Sequence, residues 1–155
     1  MASTISASTL TVTIRESIKL KGKEHGGLTT LSISNINEIS SRIVTITTTE
    51  ATIATFGIAA SQGTYIAANV RYIRFTNKDD TNFIMLTFKD EDNTEFRVKV
   101  DAGQSFIYNG DNAGGLVDTM KSNGTALSSG LADLYDITAD ADTASCDLEM
   151  FIASV

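Results

Sequence analysis

The chain has 155 residues, 42% of them hydrophobic and 20% charged, with a net charge of −7 from 12 basic and 19 acidic side chains. That balance lacks the basic field that draws phosphate backbones and anionic lipid surfaces, so nucleic acid and membrane are excluded as expected partners. The single cysteine, Cys146, excludes an intrachain disulfide framework.

Residues 1–7 read as an N-terminal arm with neither a basic leader nor an apolar signal core. Residues 8–20 alternate with period two. Leu10, Val12, Ile14, Ile18 and Leu20 fall on one side, Thr and charged residues on the other, with an interruption at Glu16; this predicts a first long strand. Residues 21–27, KGKEHGG, predict a turn. Residues 28–36 predict a second strand with Leu31 and Ile33 on one face, and residues 35–41 stay open between a short helical turn and a strand shift. Residues 42–49 predict a Thr-rich strand with Val44 and Ile46 inward, and residues 52–56 a short strand. Residues 57–68, rich in small side chains, predict a segment that loops back.

The strongest pattern lies in residues 69–100, which read NVRYIRFTN, KDDT, NFIMLTF, KDEDNT and EFRVKV. Three apolar, β-branched and aromatic runs separated by charged turn clusters predict a β-meander. The middle run is apolar at nearly every position, which predicts a central or doubly covered strand. The third alternates Phe96, Val98 and Val100 against Glu95, Arg97 and Lys99. Residues 102–108 continue extended, residues 109–115 (NGDNAGG) predict a turn, and residues 116–130 a long surface loop. Residues 131–139 and 144–155 predict the last two strands, joined by a turn at 140–143. In the closing strand Cys146, Leu148, Met150 and Ile152 share one face, so Cys146 reads as a buried, inert thiol. About ten short strands with turns between them, no long helix, no repeat and no linker predict an all-β fold: a single-domain antiparallel β-sandwich over residues 8–155, jelly-roll or immunoglobulin-like.

Catalysis needs convergent titratable groups. The one histidine, His25, sits in a glycine-rich turn among lysines, where a solvated side chain is expected. No nucleophile elbow, zinc motif or phosphate loop is present, and nothing in the spacing selects a pair of carboxylates. The acidic clusters at Asp79 and Asp80, at residues 90–93, and at Asp140 and Asp142 have calcium-like composition, but none completes an EF-hand spacing. They read as hairpin turns in which Asp and Asn bond nearby backbone. No metal, cofactor or catalytic residue is therefore expected. Most aromatics fall at core-facing strand positions; Tyr65 and Tyr108 adjoin loops and are the candidate interface residues.

Three phrases carry a resemblance: ASTISASTLTVTI at the start, VRYIRFTNKDDTNFIMLTFKDEDNTEFRVKVDAGQSFIYNG in the middle, and ITADADTASCDLEMFIAS at the end. Together they resemble small virion structural proteins of marine tailed phages, notably those infecting cyanobacteria. The resemblance spans nearly the whole chain and rests on strand and turn phrases, not on a catalytic signature. It implies a non-enzymatic particle component, made in the host cytoplasm and located in the virion. Taken with small size, β content and acidity, it points to a capsid decoration or cement protein, a homotrimer that ties major capsid protein subunits together. The alternative is a tail or fibre-associated structural or receptor-binding module, which the Thr- and Ser-rich surface also allows.

Overall fold

The computed structural model describes residues 5–121 and 130–155. The protein is all-β, and the described residues form thirteen strands in four sheets. In chain order they are β1 (Ser8–Arg15), β2 (Ile18–Leu20), β3 (Lys23–His25), β4 (Leu28–Ile36), β5 (Glu38–Ile46), β6 (Ala51–Gly57), β7 (Thr64–Ile66), β8 (Val70–Asn77), β9 (Ile84–Asp90), β10 (Glu95–Val100), β11 (Ser105–Asn109), β12 (Leu134–Ala141) and β13 (Cys146–Ser154). A 3₁₀ turn, Ala67–Asn69, precedes β8. A five-stranded sheet runs β10-β9-β12-β6-β7 and a four-stranded sheet β11-β8-β13-β5. Every pairing is antiparallel except that of β6 with β7.

The two larger sheets face each other across one core. Ile73 and Phe75 of β8 and Leu148, Met150 and Ile152 of β13 meet Leu86 and Phe88 of β9 and Ile137 of β12. Phe88 is the hub. Its ring stacks on Phe96 from the same sheet (4.9 Å) and Tyr108 from the other (5.3 Å), with Phe75 edge-on at 6.2 Å and Phe106 at 5.5 Å. Offset and edge-on aromatic pairs add to what their burial alone contributes.

The three runs of residues 69–100 form strands where expected, but not as one meander. β8 belongs to the four-stranded sheet, and only β9 and β10 pair with each other. The chain between β8 and β9 crosses from one sheet to the other, and Asn77 holds that crossing. Fully buried, it donates from Nδ2 to the carbonyls of Asn82 (2.8 Å) and Val100 (3.1 Å) and accepts from the Asp79 amide (3.0 Å). The crossing therefore needs no water to satisfy its backbone.

The N-terminal third also departs from expectation. Residues 21–27 are not a plain turn: β3 pairs with β2 around a tight bend at Lys21 and Gly22. With β1 paired to β4, residues 8–36 form one long hairpin. Its base lies on the outer face of the four-stranded sheet, where Ile33 and Ile36, helped by Leu10 and Val12, cover Tyr72 and Ala153. That cover explains why β8 is buried on both faces. The segment at 35–41 is a strand shift, with Asn35 at positive φ and β4 passing directly into β5. Residues 57–68 do loop back, and also add β7 alongside β6. Of the arm expected at residues 1–7, residues 1–4 lie outside the described residues and Ile5 is exposed. Of the expected loop 116–130, residues 122–129 lie outside them, while Leu116 and Met120 are core residues. Cys146 is buried with Leu148, Met150 and Ile152, as its alternating run predicted.

Candidate functional site

The acidic turns are built as local structure. The Asp79 carboxylate accepts from the amides of Thr81 (2.8 Å) and Asn82 (2.6 Å), and these bonds hold its pKa below the usual value. Asp90, buried, accepts from the amides of Asp92 (3.0 Å) and Thr94 (2.8 Å) and from the Thr94 hydroxyl. Asp111 accepts from the amides of Gly114 (2.9 Å) and Ala113 (2.7 Å), which lowers its pKa in the same way. The last of these turns is wedged against the start of β8. A Cβ on Gly115 would stand 2.4 Å from the Ala67 carbonyl oxygen, at a φ of +65° that side chains resist. Among the described residues no group of three or more His, Cys, Asp or Glu side chains converges as a metal site would require. His25 lies in β3, exposed, on the projecting hairpin. Burial pushes the Cys146 thiol pKa up, as expected of an inert core thiol.

The largest side-chain charge cluster lies on the outer face of the five-stranded sheet. Glu50 pairs with Arg97 (3.1 Å) and Lys89 (3.8 Å) and accepts from the Thr138 hydroxyl; Glu95 pairs with the same two cations at 3.8 and 3.9 Å. The Thr138 bond, with help from the two cations, lowers the Glu50 pKa. Asp136 stands beside them in register with Lys89 on β9. Its Oδ1 is buried without a hydrogen-bond partner, and burial pushes its pKa up against the pull of Lys89. A row of alternating charges across neighbouring strands stabilises a solvated sheet face.

Tyr65 and Tyr108 are both half-buried, with their rings on the main core. The Tyr65 ring lies 6.0 Å from Phe56 and its hydroxyl bonds that of Ser40 (2.9 Å). Tyr108 stacks on Phe88 and donates to the Thr119 hydroxyl (3.1 Å); burial raises its pKa. The side chains that stand out from the surface are different ones. At the end of β6, Ile58 is 99% exposed, and at the start of β12 Tyr135 is 51% exposed. Both edge a groove of about 680 Å³ walled by Phe56, Ile66, Val117 and Leu134, with Glu91 and Asp133 on its rim. Tyr65 is the chain neighbour of Ile66 in that wall. Spacing gave no sign of this: Ile58 follows Phe56, and Tyr135 precedes Ile137 and Ala139, at the two-residue interval of a core-facing row.

The second exposed feature is the distal half of the hairpin. Ile18 (57%), Leu20 (58%) and Leu28 (68%) project into solvent. Arg15, Lys19, Lys21 and Lys23 accompany them and form no ion pair with a described residue. Comparison with protein-family models, with curated proteins and with solved structures gave no match. Among the described residues no helix is long and apolar enough to cross a membrane.

Proposed function

We propose that this protein is a non-enzymatic structural protein of a phage virion, a decoration or cement protein that binds copies of itself and the major capsid protein on the head. One observation carries the reading: the order in which the chain visits its sheets. Without the hairpin strands β1–β4 and the short β7, eight strands remain. Counted in chain order they lie 6-3-8-1 in one sheet and 5-4-7-2 in the other. Such an order supports a jelly-roll β-sandwich, an architecture recurrent in viral capsid domains. An immunoglobulin-like domain would instead pair its first strand with its second and its fourth with its fifth in one sheet. Here β9 with β10 is the sole pair of chain neighbours among the eight.

The surface features fit the same reading. A cement protein works by adhesion, and this chain presents an apolar groove and a projecting hairpin at places where its own core has no use for them. The resemblance of its strand and turn phrases to phage structural proteins points the same way. The test is to locate the protein on particles with a labelled antibody and to add purified protein to heads that lack it. Saturable binding to the head, with greater resistance of the shell to heat, is the expected result. Label confined to the tail would replace this reading with the tail-module one, and protein that never associates with particles would end both.

A further inference from the structure

We propose that the hairpin tip of one copy, β2–β3 with Leu28, seats in the groove beside Ile58 and Tyr135 of a second copy. The proposal rests on the reading that copies of the chain associate, and it assigns the surfaces that do so.

Chemistry matches the two surfaces. The hairpin, residues 8–36, holds four basic side chains against two acidic ones, Glu16 and Glu24, and so carries +2, while the rest of a chain of net −7 carries −9. Arg15 lies across from exposed Leu28 and Lys23 across from exposed Leu20, with Lys21 at the bend between them, while Lys19 lies across from Glu24 on the other face. The groove has the complementary order, an apolar floor with acids on the rim. Glu91 on that rim makes no ion pair with a described residue. An acidic body repels other copies at long range; a basic, apolar-tipped projection supplies the attractive contact. The two strands of the tip pair with each other along their inner edges, so docking through the tip's face buries side chains while the outer edges keep their contact with solvent. Tip and groove are different patches, so copies that do not exchange tips reciprocally in a two-fold dimer make head-to-tail contacts. Such contacts close into a ring or grow into a filament according to the rotation between copies.

The experiment uses the full chain, with sedimentation as readout and circular dichroism as the check on folding. Charge reversal at the tip (Lys19→Glu, Lys21→Glu and Lys23→Glu together) and loss of the groove's apolar edge (Ile58→Asn with Tyr135→Asn) are each expected to leave a folded monomer. Mixing the two variants is expected to restore a dimer and nothing larger, because each supplies the half that the other lacks. Leu20→Cys with Ile58→Cys is expected to cross-link between copies under oxidation, and buried Cys146 contributes no background. An oligomer that survives both single-surface variants overturns the arm-in-groove assignment and leaves self-association standing. A wild-type chain that stays monomeric at every concentration overturns both. Binding of the tip to the major capsid protein while the chain remains monomeric also overturns the assignment, naming a different occupant.

Discussion

Residues 8–36 and residues 70–90 both form strands with apolar side chains to bury, and they end in opposite environments. In β8 and β9 most positions are buried, whereas β2 and β3 are exposed throughout and β1 has only two half-buried positions. The difference lies in what each pattern meets. The apolar faces of β8 and β9 meet each other across the core, and the outer face of β8 meets the hairpin base. The hairpin's own apolar row runs on past the sheet that it covers. Alternation thus reports that a segment is a strand with one apolar side; it does not report how much surface the remaining chain has to cover that side. The charge contrast sharpens this, since the uncovered segment is the basic part of an acidic chain.

The comparison breaks or holds most visibly under truncation. Phe88→Ala removes the hub of the aromatic cluster and should cost about 3–5 kcal/mol, the usual range for a buried Phe. Leu20→Ala at the hairpin tip should stay within about 0.5 kcal/mol, as surface changes do. Urea denaturation measures both, and comparable losses from the two variants would mean that the tip is covered after all. Next in size is Asn77→Ala. It strips the partners from two carbonyls and one amide at the sheet crossing, so about 1–3 kcal/mol per unsatisfied buried group bounds the expected loss. An unchanged denaturation midpoint would show that solvent reaches the crossing.

Strand positions were legible because β-branched and aromatic runs sat between clusters of Asp, Asn and Gly. The closing strand, β13, is the clearest case, with Cys146, Leu148, Met150 and Ile152 all buried as their spacing required. Partnering was not legible. The turn KDDT looks like a hairpin turn, yet the Asp79 and Asn77 bonds shape it into a crossing between sheets, and short-range pattern carries no sign of that. Residues 23–25 were hidden for a different reason: Lys, Glu and His form a strand only because β2 pairs with them, against weak propensity. Among candidate interface residues, proximity to a loop selected Tyr65 and Tyr108, whose hydroxyls and rings have partners within the chain. Ile58 and Tyr135 are large apolar groups at strand ends, and only the finished surface shows them standing clear.

Acid should separate the two regions more gently. Glu50, Asp79, Asp111 and Glu149, all outside the hairpin, have their pKa lowered, the last chiefly by the Arg74 hydrogen bond (2.5 Å). A carboxylate with a lowered folded pKa contributes stability that is present above its unfolded value, about 4, and is lost as pH falls through the folded one. The melting temperature should therefore fall as pH drops below about 4. Arg74→Met and Arg97→Met should shrink that dependence, whereas neutralising Lys19, Lys21 and Lys23 should leave it unchanged. A melting curve equally flat in acid for the wild type would contradict the carboxylate assignments.

The smallest effect has the opposite sign. Asp136 is held above its ordinary pKa by burial, and its Oδ1 lacks a partner. For such a group folding costs more once the carboxyl ionises, so the penalty is absent below the unfolded pKa and grows as pH rises through the folded one. Asp136→Asn removes the charge and keeps the shape, while Lys89 retains Glu50 and Glu95. Partial exposure screens the effect, so the gain near pH 7 should be up to about 0.5 kcal/mol and should vanish in acid, where wild type and variant carry the same charge at this site. Thermal melts of the two proteins from pH 3 to pH 8 measure that convergence. Melting temperatures that diverge toward low pH instead would show that Asp136 is stabilised in its charged form and belongs with the four carboxylates whose partners lower their pKa.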